Sequence, residues 1–260
     1  RFGVQITYVE EKIILGTSGA LDNARHLLDQ ETFVVVNGKI ITDIDLNGAL
    51  CAHRAAQALA TLVLLPNPMR EQFSMVEVHD NRVARFGGMP EPASTDGKRE
   101  PAPLMFTGIQ ILEPRIFDYI PHGVFSHSTT DVYPQAIAQG ELIAAYVAKG
   151  KWYELSTIQR YLEISLKLLA EQGATMFAGA GCRIAAEAQV ANSILWDDVT
   201  IEAGARVNRA ILGDGVRIAH NEVIENSAVV RASLVSKTPA PEKALKGRVR
   251  GENFVVPLAQ

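Results

Sequence analysis

The 260-residue chain is 47% hydrophobic and 21% charged, with a formal net charge of −4. A chain of this length buries a large core in one or two domains. Its slightly acidic balance, with no basic stripe or polybasic run, excludes recruitment of nucleic acid or of an anionic membrane surface. No apolar run reaches the ~18 residues of a membrane span, no secretory leader is recognisable, and Cys51 and Cys182 lie in separate regions, which fits a reducing cytoplasm without a disulfide framework.

In chain order, the sequence opens at Arg1 on an alternating segment (Val4, Ile6, Tyr8). This predicts a strand over residues 4–9, with further residues upstream. Thr17 or Ser18 supplies an N-cap for a helix over 20–28. Phe33-Val34-Val35-Val36 is a continuous β-branched run, the pattern of a strand buried on both faces. It stops at the corner Asn37-Gly38-Lys39. Asp45 caps a second helix reaching residue 55, and residues 58–65 form another buried strand ended by Pro66. Residues 73–78 and 82–86 flank Asp80-Asn81, a hairpin turn signal. Pro90, Pro92, Pro101 and Pro103 mark 89–103 as an exposed loop. Strand returns over 104–112, Pro114 suits the first turn of a short helix, Thr130 or Asp131 starts another helix, and 142–147 is strand again. The alternation predicts a layered α/β domain with a mostly parallel sheet.

Residues 156–172 read as a helix with Ser156 as cap and Gly173 as stop. Ile158, Leu162, Ser165, Leu166 and Leu169 form its inner stripe, which predicts core packing between two domains. Beyond Gly173 the chain matches itself at an offset of 17 residues: Ile184, Ile201 and Ile218 coincide, as do Val190, Val207 and Ile224, and Asp197 with Asp214. Aliphatic residues also recur at a six-residue step, the signature of a β-solenoid. A coil of three short faces takes roughly 18 residues, so the observed period predicts one tightened corner in about three coils of left-handed β-helix.

Several residues suggest chemistry. Leu15-Gly16-Thr17-Ser18-Gly19-Ala20-Leu21 is a glycine-bearing loop that opens a helix. Glycines there admit a ligand close to the backbone, and a helix N-terminus attracts anions; a plain strand-to-helix turn is the competing reading. His122 and His127 lie five apart in a loop, without a third ligand for a metal. Cys51 reads as a small core residue on a helix. His220 reads as a solenoid corner, against the competing reading of a hexapeptide-acyltransferase catalytic histidine.

Taken in order, Tyr8-Val9-Glu10-Glu11 with Leu15-Gly16-Thr17-Ser18-Gly19-Ala20, residues 33–38 with Ile41-Thr42-Asp43-Ile44-Asp45-Leu46, His53-Arg54, Phe106-Thr107-Gly108-Ile109 with Leu112-Glu113-Pro114, Asp131-Val132-Tyr133-Pro134, and Gly150-Lys151-Trp152-Tyr153-Glu154-Leu155-Ser156-Thr157 resemble the successive motifs of the sugar-1-phosphate nucleotidyltransferases. The likeness covers nearly the whole chain. It includes the β-helix tail of mannose-1-phosphate guanylyltransferase-like and glucose-1-phosphate nucleotidyltransferase-like members. The resemblance implies an α/β nucleotide-diphospho-sugar transferase (Rossmann-like) domain over 1–155, incomplete at its N-terminus where the family's Gly-x-Gly-Thr-Arg signature belongs. A bridging helix over 156–174 follows, then a short left-handed β-helix over 175–236 and a tail over 237–260, whose Phe254-Val255-Val256-Pro257 packs back on the chain.

The resemblance also implies the reaction. A sugar phosphate oxygen attacks the α-phosphorus of a nucleoside triphosphate, pyrophosphate leaves, and Mg²⁺ and basic side chains neutralise charge. Gly16, Thr17 and Gly19, with Asn37 and Gly38, would contact the nucleotide. Thr107 and Gly108 would line the sugar pocket, and Glu154 would be a metal carboxylate. The family's Asn-Gly-Asp carries a metal-binding Asp where this chain has Lys39. Two unit charges roughly 4 Å apart at an effective dielectric of about 20 interact by about 4 kcal/mol, and Mg²⁺ is doubly charged. Lys39 is therefore expected to exclude the ion and meet a phosphate directly, sharing the catalytic role with Glu154. The family's Glu-Lys-Pro reads Gly88-Met89-Pro90, with Arg85 as a substitute for the sugar phosphate contact. The expected partners are a nucleoside triphosphate and a sugar 1-phosphate, with no nucleic acid and no membrane. Exposed solenoid ends suggest a homo-oligomer. The alternative is a catalytically inactive regulatory subunit that binds a nucleotide or sugar nucleotide on the same fold, since the substitutions at 39, 88 and 89 remove charge machinery and leave pocket glycines.

Overall fold

In the computed structural model, residues 3–69, 71, 74–87, 102–235, 242 and 244–258 are described. Gly88-Met89-Pro90, and all but the last two residues of the loop expected over 89–103, lie outside them. The chain divides into two compact units, Arg1–Trp152 and Tyr153–Gln260.

The first unit contains helices α1 (Gly16–Asn23), α2 (Arg25–Leu28), α3 (Leu46–Ala56) and α4 (Tyr133–Ala138). Its strands are β1 (Phe33–Val36), β2 (Ile40–Thr42), β3 (Ala60–Pro66), β4 (Met75–His79), β5 (Arg82–Phe86), β6 (Leu104–Leu112) and β7 (Ile143–Val147), and β8 (Trp152–Glu154) crosses the division between the units. The main sheet has the order β1-β6-β3-β7-β5-β4. At its centre, β3 is buried from Ala60 through Leu65, as its unbroken apolar run requires. Leu62 and Leu64 pack on one face with Ile116, Tyr133 and Ile143. Val63 and Leu65 pack on the other with Ile44, Ala49 and Ile109.

The sheet is mixed, not mostly parallel. Among its described pairs only β3 with β7 is parallel; β1 with β6, β3 with β6, β4 with β5, β4 with β6 and β5 with β7 are antiparallel. Strand–helix alternation fixes where helices fall, not the direction of a strand inserted between parallel neighbours, and β6 runs against both β1 and β3. The expectation for β1 also changes. It is an edge strand buried on one face only, with Val34 and Val36 43% and 44% exposed. Residues 4–9 form no strand, and Val4, Ile6 and Tyr8 are exposed. Alternation specifies a pleat, but a strand also needs a partner for its backbone groups.

Local signals fared variously. Asp45 caps α3, its carboxylate accepting from the amides of Asn47 and Gly48 at 3.0 and 3.1 Å. Asp80 and Asn81 turn the β4–β5 hairpin with φ of 50° and 59°, the conformation this dipeptide tolerates. The helix expected over 20–28 instead begins at Gly16 with no side-chain cap and breaks at Ala24. Pro114 opens a 3₁₀ turn (Pro114–Asp118), and a π turn (Ser128–Val132) leads into α4. Cys51 is exposed on α3 and is not a core residue.

The second unit begins with α5 (Ile158–Glu171), capped by Thr157 instead of Ser156. Strands β9 (Met176–Ala178), β10 (Arg183–Ile184), β11 (Gln189–Ala191), β12 (Ser193–Leu195), β13 (Thr200–Ile201), β14 (Arg206–Leu212), β15 (Arg217–Ile218) and β16 (Val223–Arg231) then form a parallel β-solenoid. Every pairing joins residues one repeat apart, as in Ile184 with Ile201 and Ile201 with Ile218, or Ile194 with Ile211 and Ile211 with Ala228. The tightened corner is visible in the backbone. Left-handed φ values recur at Asn192, Asp198, Gly204, Arg209, Gly215, Asn221 and Asn226, in steps of six, six and five residues. The short step is therefore the face ending at 209 and at 226. Inside, Leu195, Leu212 and Val229 stack with Ile201, Ile218 and Val207. Leu162, Leu166 and Leu169 of α5 cover the column Ile194, Ile211 and Ala228.

The tail returns to this unit as expected. Strand β18 (Asn253–Pro257) pairs antiparallel with β16, and β17 (Arg248–Arg250) pairs antiparallel with β18. The β16 edge of the solenoid is thus covered by the chain's own tail.

Candidate active site

Strands β1 and β3 both run against β6, and β7 runs parallel to β3. The carboxyl ends of β1, β3 and β7 therefore share one edge of the sheet. In open α/β sheets this is the edge where ligands bind. It presents Asn37-Gly38-Lys39 after β1 and residues 148–151 after β7.

At the end of β1, the Ile40 amide donates to the Asn37 carbonyl at 3.2 Å, closing a tight turn. Gly38 and Lys39 form its exposed tip, and a Cβ added at Gly38 would meet open space. The Asn37 amide donates to the Gly108 carbonyl at 3.1 Å. Opposite, the pairing of β3 with β6 slips between Val63 and Leu64, so that Thr107 and Gly108 are extra residues in β6. This is a β-bulge. The Thr107 hydroxyl donates to the Val63 carbonyl at 2.7 Å and accepts from the Ile109 amide at 3.3 Å, replacing bonds the slip removes. The Trp152 indole donates to the Thr107 carbonyl at 2.9 Å. Gly108 has φ +77°, and a Cβ there would fall on the Asn37 side-chain amide. The structure thus brings Asn37 and Gly108 together. Thr107 is only 1% exposed, its hydroxyl engaged within the protein.

The glycine loop packs against residues 124–128. A Cβ at Gly16 would fall on the Ser126 carbonyl, and one at Gly19 would stand 2.8 Å from the Val124 carbonyl. The Ser18 amide donates to the Ser126 carbonyl at 3.1 Å, and the Ser126 amide to the Leu15 carbonyl at 2.9 Å. The Thr17 hydroxyl accepts from the Ser128 amide at 3.0 Å, while the Thr17 amide points at Nδ1 of His127, 3.5 Å away. An acceptor Nδ1 leaves the ring proton on Nε2. The sequence offered His127 only as half of a histidine pair. His122 turns elsewhere, to the buried Asp22 at 2.9 Å.

The resemblance implies Mg²⁺, but the donor set at this edge does not fit it. Lys39 carries an ammonium, which has no lone pair to give. Asp43 accepts from the Lys151 amide at 2.5 Å, and a Cβ at Gly150 would stand 2.8 Å from the same carboxylate. Asp45 is occupied as the cap of α3. Among the described residues no group of three or more His, Cys, Asp or Glu is gathered to hold a metal. Glu154 belongs to the second unit, half-buried at the end of β8, with its carbonyl accepting from Arg160 Nε at 3.1 Å. Arg85 pairs with Glu77 at 2.7 Å and lines a cavity of about 550 Å³ with Gly87, Thr129 and Thr130. Hydrogen bonds from His79 and Arg85 hold the Glu77 carboxyl below its ordinary range.

Behind the edge, His53 joins α3 to the sheet. Its Nε2 lies 3.0 Å from Glu113, and its Nδ1 2.8 Å from the Thr61 hydroxyl. A carboxylate only accepts, so Nε2 donates to Glu113. Burial alone would raise the Glu113 carboxyl. Hydrogen bonds from Thr32 and His53, with the charge of Arg115, leave it below its ordinary value.

The profile described as nucleotidyl transferase matches residues 1–171. The chain belongs to the nucleotidyl transferase family. Residues 173–238 match a second profile, the GlmU-like C-terminal hexapeptide, in agreement with the solenoid. A mannose-1-phosphate guanylyltransferase of Mycobacterium tuberculosis is 27% identical over 86% of this chain and 64% of that protein. A UTP–glucose-1-phosphate uridylyltransferase of Synechocystis is 26% identical over 88% of this chain and 62% of that protein. A glucose-1-phosphate thymidylyltransferase of Streptomyces griseus is 24% identical over 95% and 73%, respectively. The chain spans less than two thirds of the length of the first two relatives.

Proposed function

We propose that this nucleotidyl transferase family member moves a nucleotidyl group from a nucleoside triphosphate to a sugar 1-phosphate, giving a nucleoside diphosphate sugar and pyrophosphate. The observation that carries the reading is the junction of Asn37 with the Gly108 bulge at the carboxyl edge of the sheet. It joins the segment assigned to the nucleotide with the segment assigned to the sugar. In the reaction, an oxygen of the sugar phosphate bonds to the α-phosphorus, and the bond from that phosphorus to the bridging oxygen breaks, its electron pair leaving with pyrophosphate. A phosphate monoester is already largely ionised at neutral pH, with a second pKa of about 6. The protein's task is therefore to hold two polyanions in line and offset their charge.

The roles follow from this. Gly16, Thr17 and Gly19, with Asn37 and Gly38, are the residues this reading assigns to the nucleotide. Gly108 presents backbone to the sugar, and Thr107 positions the bulge. Lys39 supplies positive charge to the phosphates. A reducing cytoplasm accords with the unpaired Cys51 and Cys182, and a homo-oligomer belongs to the same reading. One observation favours a second reading, an inactive nucleotide-binding subunit: Lys39 stands where catalysis by this family uses a carboxylate.

Pyrophosphate release distinguishes the two readings. The relatives are named for different bases and sugars, so the assay pairs GTP, UTP, CTP and dTTP with glucose 1-phosphate and mannose 1-phosphate. Release from at least one pair is expected. Silence from all pairs, with nucleotide binding intact, would favour the inactive subunit.

A further inference from the structure

We propose that the apolar cleft between α5 and the solenoid seats a second copy of this chain, with Trp196 of each copy filling the place left open at Gly213 of the other. The inference specifies the oligomer named in the functional reading above and is independent of the chemistry of transfer.

Three observations carry it. First, the solenoid column beside α5 alternates small and large residues. The amides of Gly179, Trp196 and Gly213 donate in turn to the carbonyls of Leu195, Leu212 and Val229, at 2.9, 2.8 and 2.9 Å. This stacks Gly179, Trp196, Gly213 and Val230 one coil upon the next. Gly213 lies outside the left-handed region, so its backbone does not require glycine. A Cβ there would stand 3.3 Å from Cγ1 of Val230. What the missing side chain provides is therefore space. The cavity it opens, of about 360 Å³, is lined by Ile158 and Tyr161 of α5 and by Trp196, Ile211, Gly213 and Val230. Neighbouring coils lie about 4.8 Å apart, so the gap between Trp196 and Val230 admits one flat side chain.

Second, the same face offers the side chain that fits. Trp196 is 45% exposed, with Ile158 and Val230 beside it at 41% and 38%, and its indole donates to the Tyr161 hydroxyl at 3.3 Å. Exposed aromatic anchors next to a cavity are where protein interfaces concentrate their energy. A two-fold interface has to fit itself, each residue meeting its counterpart reciprocally. Reversing this column upon itself sets Trp196 against Gly213 and Val230 against Gly179, large on small in both cases. Third, no residue lining the cavity is Asp, Glu, Lys, Arg or His. Identical copies carry identical charge, and a charged face would set like against like. The carboxylates that follow the column, Asp197 and Asp214, each spend an oxygen on an amide of the solenoid, Ala180 at 2.8 Å and Asp197 at 3.0 Å. They face each other across the reversed column, so the dimer should tighten as salt screens them.

The test is sedimentation velocity of the full chain over a range of concentrations, with the wild-type protein, Trp196→Ala, Gly213→Leu and an equal mixture of the two variants. The wild-type protein is expected at twice the mass of one chain. Trp196→Ala should weaken the dimer by about thirtyfold or more, the loss of a central aromatic anchor. Gly213→Leu fills the gap and should leave monomers. The mixture should dimerise again, because the Trp196 of one variant meets the open Gly213 of the other, and the shortened side chain meets the lengthened one. Mixing would not rescue a variant that is merely misfolded. Circular dichroism checks each fold, and Trp196→Ala keeps the test open should Gly213→Leu fail to fold. A monomeric wild-type protein overturns the inference, including one whose cleft holds a small aromatic compound instead. A dimer that neither variant weakens overturns it by placing the contact elsewhere. Pyrophosphate release is read separately, so loss of the dimer leaves nucleotidyl transfer standing, and absence of release leaves the dimer standing.

Discussion

Gly108 and Thr107 make the site depend on single atoms. Gly108 combines a left-handed φ with a Cβ direction that points into Asn37. Gly108→Ala should therefore cost about 1–3 kcal/mol, read as a lower urea midpoint, and should weaken nucleotide binding because the end of β1 must shift. Thr107→Val keeps the shape but leaves the Val63 carbonyl without its hydroxyl, which predicts a loss of about 1–3 kcal/mol in the same experiment. The motif residues Asn37, Gly38 and Gly108 were legible as sequence. The burial of Thr107 was not, because it follows from a slip in pairing with a strand some forty residues away. Glu113 gives a pH dependence. Its carboxyl lies below the ordinary value of 4.5 when folded, so its contribution is complete above that value and is lost as pH falls through the folded pKa. Glu113→Gln should flatten the acid limb of the stability profile below pH 4.5; an unchanged limb would remove Glu113 from the account.

At the scale of elements, the solenoid period is legible in the sequence and strand direction is not. The solenoid was legible because each residue meets its own repeat, so the offset in the sequence is the register of the fold. Strand direction in the first unit was not legible, since β6 has the same apolar pattern whichever way it runs. The edge position of β1 was hidden for a similar reason: Val34 and Val36 are as β-branched on the solvent face as Val35 is toward the core. Leu212 is fully buried between Leu195 and Val229 in the solenoid stack. Leu212→Ala should cost about 2–5 kcal/mol, measurable as a shift of the urea midpoint.

The molecule divides into two units. Among the described residues, the apolar clusters of the first unit are built from residues up to Trp152. Those of the second are built from α5, the solenoid and the returning tail. A fragment of residues 153–260 should accordingly show strand-rich circular dichroism and a cooperative melt; a featureless spectrum would mean that its core is not self-sufficient. At this scale the order of several motifs along the chain carried the resemblance, and the family match over residues 1–171 bears it out. The central claim is nucleotidyl transfer, and phosphorus NMR tests it most directly by following both products in one spectrum. With the correct triphosphate and sugar 1-phosphate, the account predicts equal growth of the nucleoside diphosphate sugar and pyrophosphate signals. Unchanged substrate signals for every pair would contradict it.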